Sequence, residues 1–151
     1  MTEFKFLKAH GLGNDFVIFT EHTKLNISKE LVKFLSDRKK GVGCDLTVFL
    51  NKSENNYSDL VARFFNKDGS EAEVCGNALR CIGNYYFKKF NKKNVTVETN
   101  SGLIDVEKNI SEKISVDLGK PNISWDKIPI KIDVDTQNLD FDFDYLKGGF
   151  A

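Results

Sequence analysis

The sequence predicts an α+β fold in which strands outnumber helices. Short apolar runs of strand length recur along most of the chain, and only two segments repeat their apolar residues at helical spacing. Strands and helices do not alternate in the regular βαβ order of a parallel doubly wound sheet.

Residues 3–8 read as a first strand, "GLGND" interrupts it, and residues 16–19 form a second apolar run. The two glycines flanking Leu12 predict a tight turn. Ser28 stands where an N-cap belongs for a helix carrying Leu31, Val32, Phe34 and Leu35, and Gly41 stands where a C-cap glycine belongs. Residues 46–50 and 60–65 read as strands separated by a polar Asn/Ser loop, and "NKDGS" at residues 66–70 reads as a turn.

From residue 78 to residue 90, Ala78, Cys81, Ile82, Tyr85, Tyr86 and Phe90 recur at intervals that include the helical three and four, with Lys88 and Lys89 at the C-terminal end. Because these apolar positions cover more than one narrow stripe, the helix is expected to be enclosed on several sides. The period then shifts to two through Val95 and Val97, a turn at residues 100–102, the run 103–106, and Ile114, Val116 and Leu118, which predicts an antiparallel meander. Pro121 and Pro129 bracket an irregular stretch, and "LDFDFDYLKGGFA" predicts a last alternating strand.

The 151 residues have the length of one ordinary domain. Lys plus Arg and Asp plus Glu number 22 each, and no basic block interleaved with aromatics occurs, so nucleic acid is not an expected partner. Charges are scattered through the N-terminus and no apolar run reaches membrane-spanning length, so the expectation is a soluble cytoplasmic protein with no membrane partner. An odd count of three cysteines fits a reducing compartment better than a disulfide framework.

Nucleotide loops and metal sites lack their signatures. Residues 11–16 and 41–46 each begin G-x-G without the sixth-position glycine, and no G-x-x-x-x-G-K-[ST] is present. With two histidines and no C-x-x-C, a metal site is not expected either.

Cys75 differs from the other thiols by its place in "AEVCGNALRC". If Asn77 caps a helix beginning near Ala78, Cys75 and Gly76 lie at the positive end of the helix dipole, among N–H groups without intrahelical partners. Such a position favours a thiolate, and Gly76 leaves the backbone open to a carboxylate. An isolated cysteine at a helix start is also often a simple packing residue, and the residue pattern leaves both readings open. Cys81, up to roughly 9 Å of helical rise away, is expected to pack in the core, as is Cys44 beside its glycine turn.

"HGLGNDF" at residues 10–16, "GVGCD" at 41–45, "FNKDGSEAEVCGNALRC" at 65–81 and "SGLIDV" at 101–106 occur in the order found in the N-terminal half of diaminopimelate epimerases, and the resemblance covers nearly the whole chain. It implies a strongly twisted, mostly antiparallel sheet wrapped around the central helix at residues 78–90. It also implies inversion of an amino-acid α-carbon by two cysteines, one on each face, without pyridoxal phosphate or another cofactor. The reaction so implied converts LL- to meso-diaminopimelate in lysine and peptidoglycan synthesis.

By this resemblance Cys75 matches one catalytic cysteine, and Gly76 and Asn77 match the backbone that binds the substrate α-carboxylate. Asn14 and Asn66 match substrate-binding positions, although Asn in a turn often bonds its own backbone. Arg80 either neutralises charge near Cys75 or makes a structural salt bridge. Leu46 stands where the family usually has a glutamine, and Ala78-Leu79 replaces the usual small pair after Asn77.

Members of that family are roughly twice as long, and their second domain brings the opposing cysteine. Residues 1–151 thus correspond to the N-terminal domain, with the second catalytic domain absent from the chain. The expected partners are a small amino-acid substrate and either the missing C-terminal domain or a second copy in a homodimer. A proline-racemase-like or phenazine-pathway isomerase, or a non-catalytic carboxylate-binding module, are the competing expectations.

Overall fold

The computed structural model describes residues 4–20, 26–129 and 133–138. The chain divides into two compact units, Met1–Leu118 and Gly119–Ala151. In the first unit the elements run β1 (Phe6–Gly11), β2 (Asn14–Phe19), α1 (Lys29–Ser36), β3 (Leu46–Lys52), β4 (Leu60–Asn66), β5 (Glu71–Ala72), α2 (Gly76–Phe90), β6 (Asn94–Thr99), β7 (Gly102–Lys108) and β8 (Ile114–Val116).

The strands form one sheet in the order β1-β2-β3-β4-β6-β7-β8, with β5 paired to the far end of β4. β2–β3 and β4–β6 are parallel, and the remaining pairs are antiparallel. α2 packs against β1 and β2 at one side of this order and against β6, β7 and β8 at the other, so the sheet curls around the helix. This is the expected α+β arrangement, with β6-β7-β8 as the expected meander.

Alternation along the strands sorts the core into two layers. Phe16 and Ile18 of β2, Val48 of β3 and Phe64 of β4 face inward onto Leu79 and Ile82 of α2. Val17, Phe19, Phe49 and Phe65 face outward onto Val32 of α1, with the Phe19 and Phe49 rings stacked at 5.2 Å. Each large apolar side chain so enclosed contributes about 2–3 kcal/mol, which fixes the helices to opposite faces of the sheet.

Several boundaries differ from expectation. β1 runs on into Gly11, and the turn is the pair Leu12-Gly13, with φ of 55° and 89°. Two successive positive φ values match the twist of a two-residue hairpin. α1 begins at its Ser28 cap as expected but ends at Ser36, where Asp37 is the C-cap and its N–H reaches the Lys33 and Phe34 carbonyls. Gly41 is needed for a different reason, since a Cβ there would lie 1.8 Å from the Phe34 carbonyl oxygen.

α2 begins at Gly76, two residues before the expected start, and the two-residue strand β5 is too short to leave a periodicity. The last alternating strand lies outside the described residues. In the second unit, Trp125–Lys127 makes one 3-10 turn, and the hydroxyl of Thr136 donates to the carbonyl of Ile123. Among the described residues no helix is long and apolar enough to cross a membrane.

Candidate active site

The site begins with the way α2 starts. Cys75 is its N-cap, in extended conformation, and its carbonyl accepts the Leu79 N–H at 2.9 Å. Its side chain makes no capping bond, and the first turn holds no acidic residue. The N–H groups of Gly76, Asn77 and Ala78 therefore find no partner among the described residues. The expected cap, Asn77, is instead the second residue of the helix, because the intrahelical bonding extends back to Cys75. The side-chain oxygen of Asn77 is used otherwise, accepting from Arg80 Nη1 at 2.6 Å.

The β1–β2 hairpin is pressed against this first turn. A Cβ at Gly11 would stand 3.3 Å from Asn77 Cβ, so glycine permits the approach. Asn14 faces Gly11 across the hairpin and is thereby carried to the cysteine. The half-buried Cys75 thiol donates to Asn14 Oδ1 across 3.8 Å, while Asn14 Nδ2 donates to Asp45 Oδ2 at 3.3 Å.

Behind this contact lies an ionic lock that the sequence reading missed. The parallel pairing of β2 with β3 brings Asp15 beside Asp45. The Asp15 N–H donates to Asp45 Oδ2 at 3.1 Å, and the Asp45 N–H donates to Asp15 Oδ1 at 3.0 Å. Arg38 donates to both oxygens of Asp15, at 2.7 and 3.0 Å, and to Asp45 Oδ1 at 2.9 Å. Lys8 adds a bond to Asp15 at 2.7 Å and one to the Gly43 carbonyl. The Arg38 guanidinium holds the Asp15 carboxyl well below the usual carboxylate range against the opposing effect of burial, and Lys8 adds to it. The available signal was an aspartate in the same place after each glycine pair, at Asp15 and Asp45.

Asn66 is placed differently. It ends β4 on the face that carries Phe64, in register with Leu46 and hence on the inner side of the sheet. Its Nδ2 donates to Ser70 Oγ at 3.0 Å, and its N–H to the Ser70 carbonyl at 2.8 Å. The structure thus gathers Asn14, Cys75, Gly76 and Asn77 and leaves Asn66 bonded within its own turn. Leu46, half-buried, packs against the inner core.

Neither other cysteine opposes Cys75. Cys44 is buried in the outer layer, 3.5 Å from the hydroxyls of Ser36 and Thr47. Cys81 follows Cys75 on the same helix and is half-buried, not fully buried as expected. Burial pushes the Cys81 thiol up, Cys75 adds to this, and Arg80 opposes it. Arg80 makes no ion pair among the described residues. No three of the described His, Cys, Asp and Glu residues are grouped to hold a metal ion.

A separate cavity of about 450 Å³ lies near the far end of α2, lined by Asp59, Tyr85, Tyr86 and Lys92 among others. There Asp59 accepts from Tyr86 and from the Thr96 N–H, both at 3.0 Å, so these polar groups already have partners. At the start of α2 the donors have no partner among the described residues, and a carboxylate bound by them would hold its α-carbon beside a thiol.

A model of the diaminopimelate epimerase family matches residues 6–124. The diaminopimelate epimerase of Carboxydothermus hydrogenoformans is 41% identical over 141 residues, which is 89% of this chain and 51% of that protein. That of Acetivibrio thermocellus is 41% identical over 137 residues, covering 85% of this chain and 48% of the relative. The chain spans about half the length of the curated relatives it matches. Among solved structures, a hydroxyproline epimerase from Agrobacterium vitis with bound trans-4-hydroxy-L-proline superposes with a TM-score of 0.58 at 14% identity, covering 74% of this chain and 40% of that one. A methylitaconate-delta-isomerase gives a TM-score of 0.54 at 12% identity, covering 73% and 36%. At these identities the two structures bear on the fold alone.

Proposed function

Because the chain belongs to the diaminopimelate epimerase family, we propose that it is the N-terminal domain of an enzyme interconverting LL- and meso-diaminopimelate, with Cys75 as the acid/base group on one face of the α-carbon. The observation that carries this reading is the group of unpaired N–H donors at Gly76, Asn77 and Ala78 beside the Cys75 thiol. The substrate α-carboxylate sits on the Gly76 and Asn77 N–H groups, and Asn14 and Asn66 contact the rest of the substrate.

As a thiolate, Cys75 takes the α-proton, so that an S–H bond forms as the C–H bond breaks. The electron pair moves toward the carboxylate, where the helix N–H groups meet the developing charge. Inversion then requires a proton from the opposite face, since the same thiol returning it would only regenerate the starting stereochemistry. Neither Cys44 nor Cys81 is placed for this, and a second domain supplies the opposing thiol. The chemistry proposed needs no cofactor, and three unpaired cysteines suit the reducing cytoplasm.

The test is exchange of the substrate α-proton with deuterium from solvent, measured together with inversion in the enzyme completed by its second domain. Cys75→Ala abolishes both while circular dichroism shows the fold retained; undiminished turnover in that variant overturns the assignment. Inversion by the 151-residue chain alone would place the opposing thiol on a second copy of the chain instead.

A further inference from the structure

The Asn14 amide has two ends of opposite character, and the end facing Cys75 decides whether the sulfur meets an acceptor or a donor. In the structure it meets the oxygen, Oδ1, at 3.8 Å. Nothing in Asn14 itself selects that orientation, because rotating the amide half a turn exchanges oxygen and nitrogen at nearly the same positions. What selects it is the other end, where Asp45 Oδ2 offers only an acceptor and so takes Nδ2, at 3.3 Å.

Asp45 is itself held against rotation. Its Oδ2 also accepts the Asp15 N–H at 3.1 Å, its Oδ1 accepts Arg38 Nη2 at 2.9 Å, and its own N–H is bound to Asp15. We propose that Asp45 is a positioning residue: through Asn14 it keeps an oxygen, and not an amide NH₂ group, against the sulfur of Cys75. Its own hydrogen bonds go to Asn14, Asp15 and Arg38, and it acts on the thiol only through Asn14. An oxygen there accepts from the thiol, whereas an NH₂ group would donate to the thiolate, so the lock sets how readily the sulfur reacts.

This inference rests on Cys75 being the reacting thiol, but its test needs no turnover. The rate of carboxamidomethylation of Cys75 by iodoacetamide is followed peptide by peptide in the 151-residue chain, which separates Cys75 from Cys44 and Cys81. Asp45→Ala frees the Asn14 amide to turn its NH₂ group toward the sulfur, and the Cys75 rate rises about fivefold, the size of one exchanged hydrogen bond. In an Asn14→Ala background the same substitution changes the rate less than about twofold, as expected for two residues acting as one unit.

An unchanged rate in Asp45→Ala, or an equal change with and without Asn14, overturns the proposal. Should Asp45→Ala not fold, the unaltered chain decides by NMR. One side-chain amide proton of Asn14 then exchanges with solvent at least about fivefold more slowly than that of a solvated asparagine, and equal exchange overturns the proposal.

Discussion

The two helices of the first unit start in opposite ways. α1 starts at Ser28, whose hydroxyl accepts the Leu31 N–H at 3.1 Å, and Glu30 stands in its first turn. α2 starts at Cys75, whose thiol turns away to Asn14, and its first turn holds no acid. Both helices carry the same partial positive charge at this end. In α1 a hydroxyl takes the Leu31 N–H and a carboxylate stands in the first turn, whereas in α2, among the described residues, neither answers the N–H groups of Gly76, Asn77 and Ala78. An ordinary cap is worth about 1 kcal/mol, so the start of α2 forgoes stability that the start of α1 keeps.

The contrast is broken most severely by Cys75→Ser, which gives α2 the same kind of capping residue as α1. Hydroxyl in place of thiol is expected to reduce α-proton exchange in the completed enzyme by at least about 10³-fold, roughly 4 kcal/mol of barrier. The measurement is the initial rate of deuterium incorporation, and a loss below tenfold would contradict the assignment of Cys75.

Next in size is the lock that carries Asn14. Asp15→Asn is expected to lower unfolding stability at pH 7 by roughly 1–2 kcal/mol, a figure reduced for screening at the exposed Arg38. The lowered carboxyl of Asp15 also fixes the sign of a pH effect. Its contribution is fully present above the unfolded carboxylate value of about 4 and is lost as pH falls below it toward the folded value. Denaturant titrations should therefore show the unaltered chain losing stability below about pH 4 more steeply than Asp15→Asn. Parallel curves would show that the ion pairs add nothing to the fold.

Removing the cap that α1 does have, by Ser28→Ala, should cost about 1 kcal/mol in the same titration without changing the reactivity of Cys75. The smallest effect is the other face of Cys75→Ser. By supplying a hydroxyl to the open N–H groups it should stabilise the chain by about 0.5 kcal/mol while destroying activity. Equal losses of stability and activity would mean that Cys75 is a packing residue after all.

Much of this was readable from residue order alone, where local chemistry decides the outcome. Ser28 before an apolar repeat gave the start of α1, the spacing from Ala78 to Phe90 gave α2, and Val95 with Val97 gave β6. Boundaries failed where the path of the backbone, and not the preference of a single residue, decides. Gly41 looks like a helix terminator, but the close passage of its backbone past Phe34 is what demands glycine there. Asn77 looks like a cap by residue preference, yet the helix extends past it to Cys75 and its oxygen is engaged by Arg80.

Within the site, Asn14 and Cys75 lie 61 residues apart, and only the family resemblance linked them before the fold did. The Asp15–Arg38–Asp45 lock was not legible, because it depends on β2 and β3 running parallel, a pairing that periodicity does not specify. Asn66 shows the converse. Its turn was read correctly, and its amide stays bonded to Ser70 as a turn asparagine commonly does.

The open amide groups at the start of α2 are tested most directly by titrating LL-diaminopimelate into the isotope-labelled chain and following backbone amide resonances. The N–H signals of Gly76, Asn77 and Ala78 should move together and saturate, while that of Leu31, already bonded to Ser28, stays in place. Unmoved signals at those three residues, or equal movement at Leu31, would contradict a carboxylate site beside Cys75.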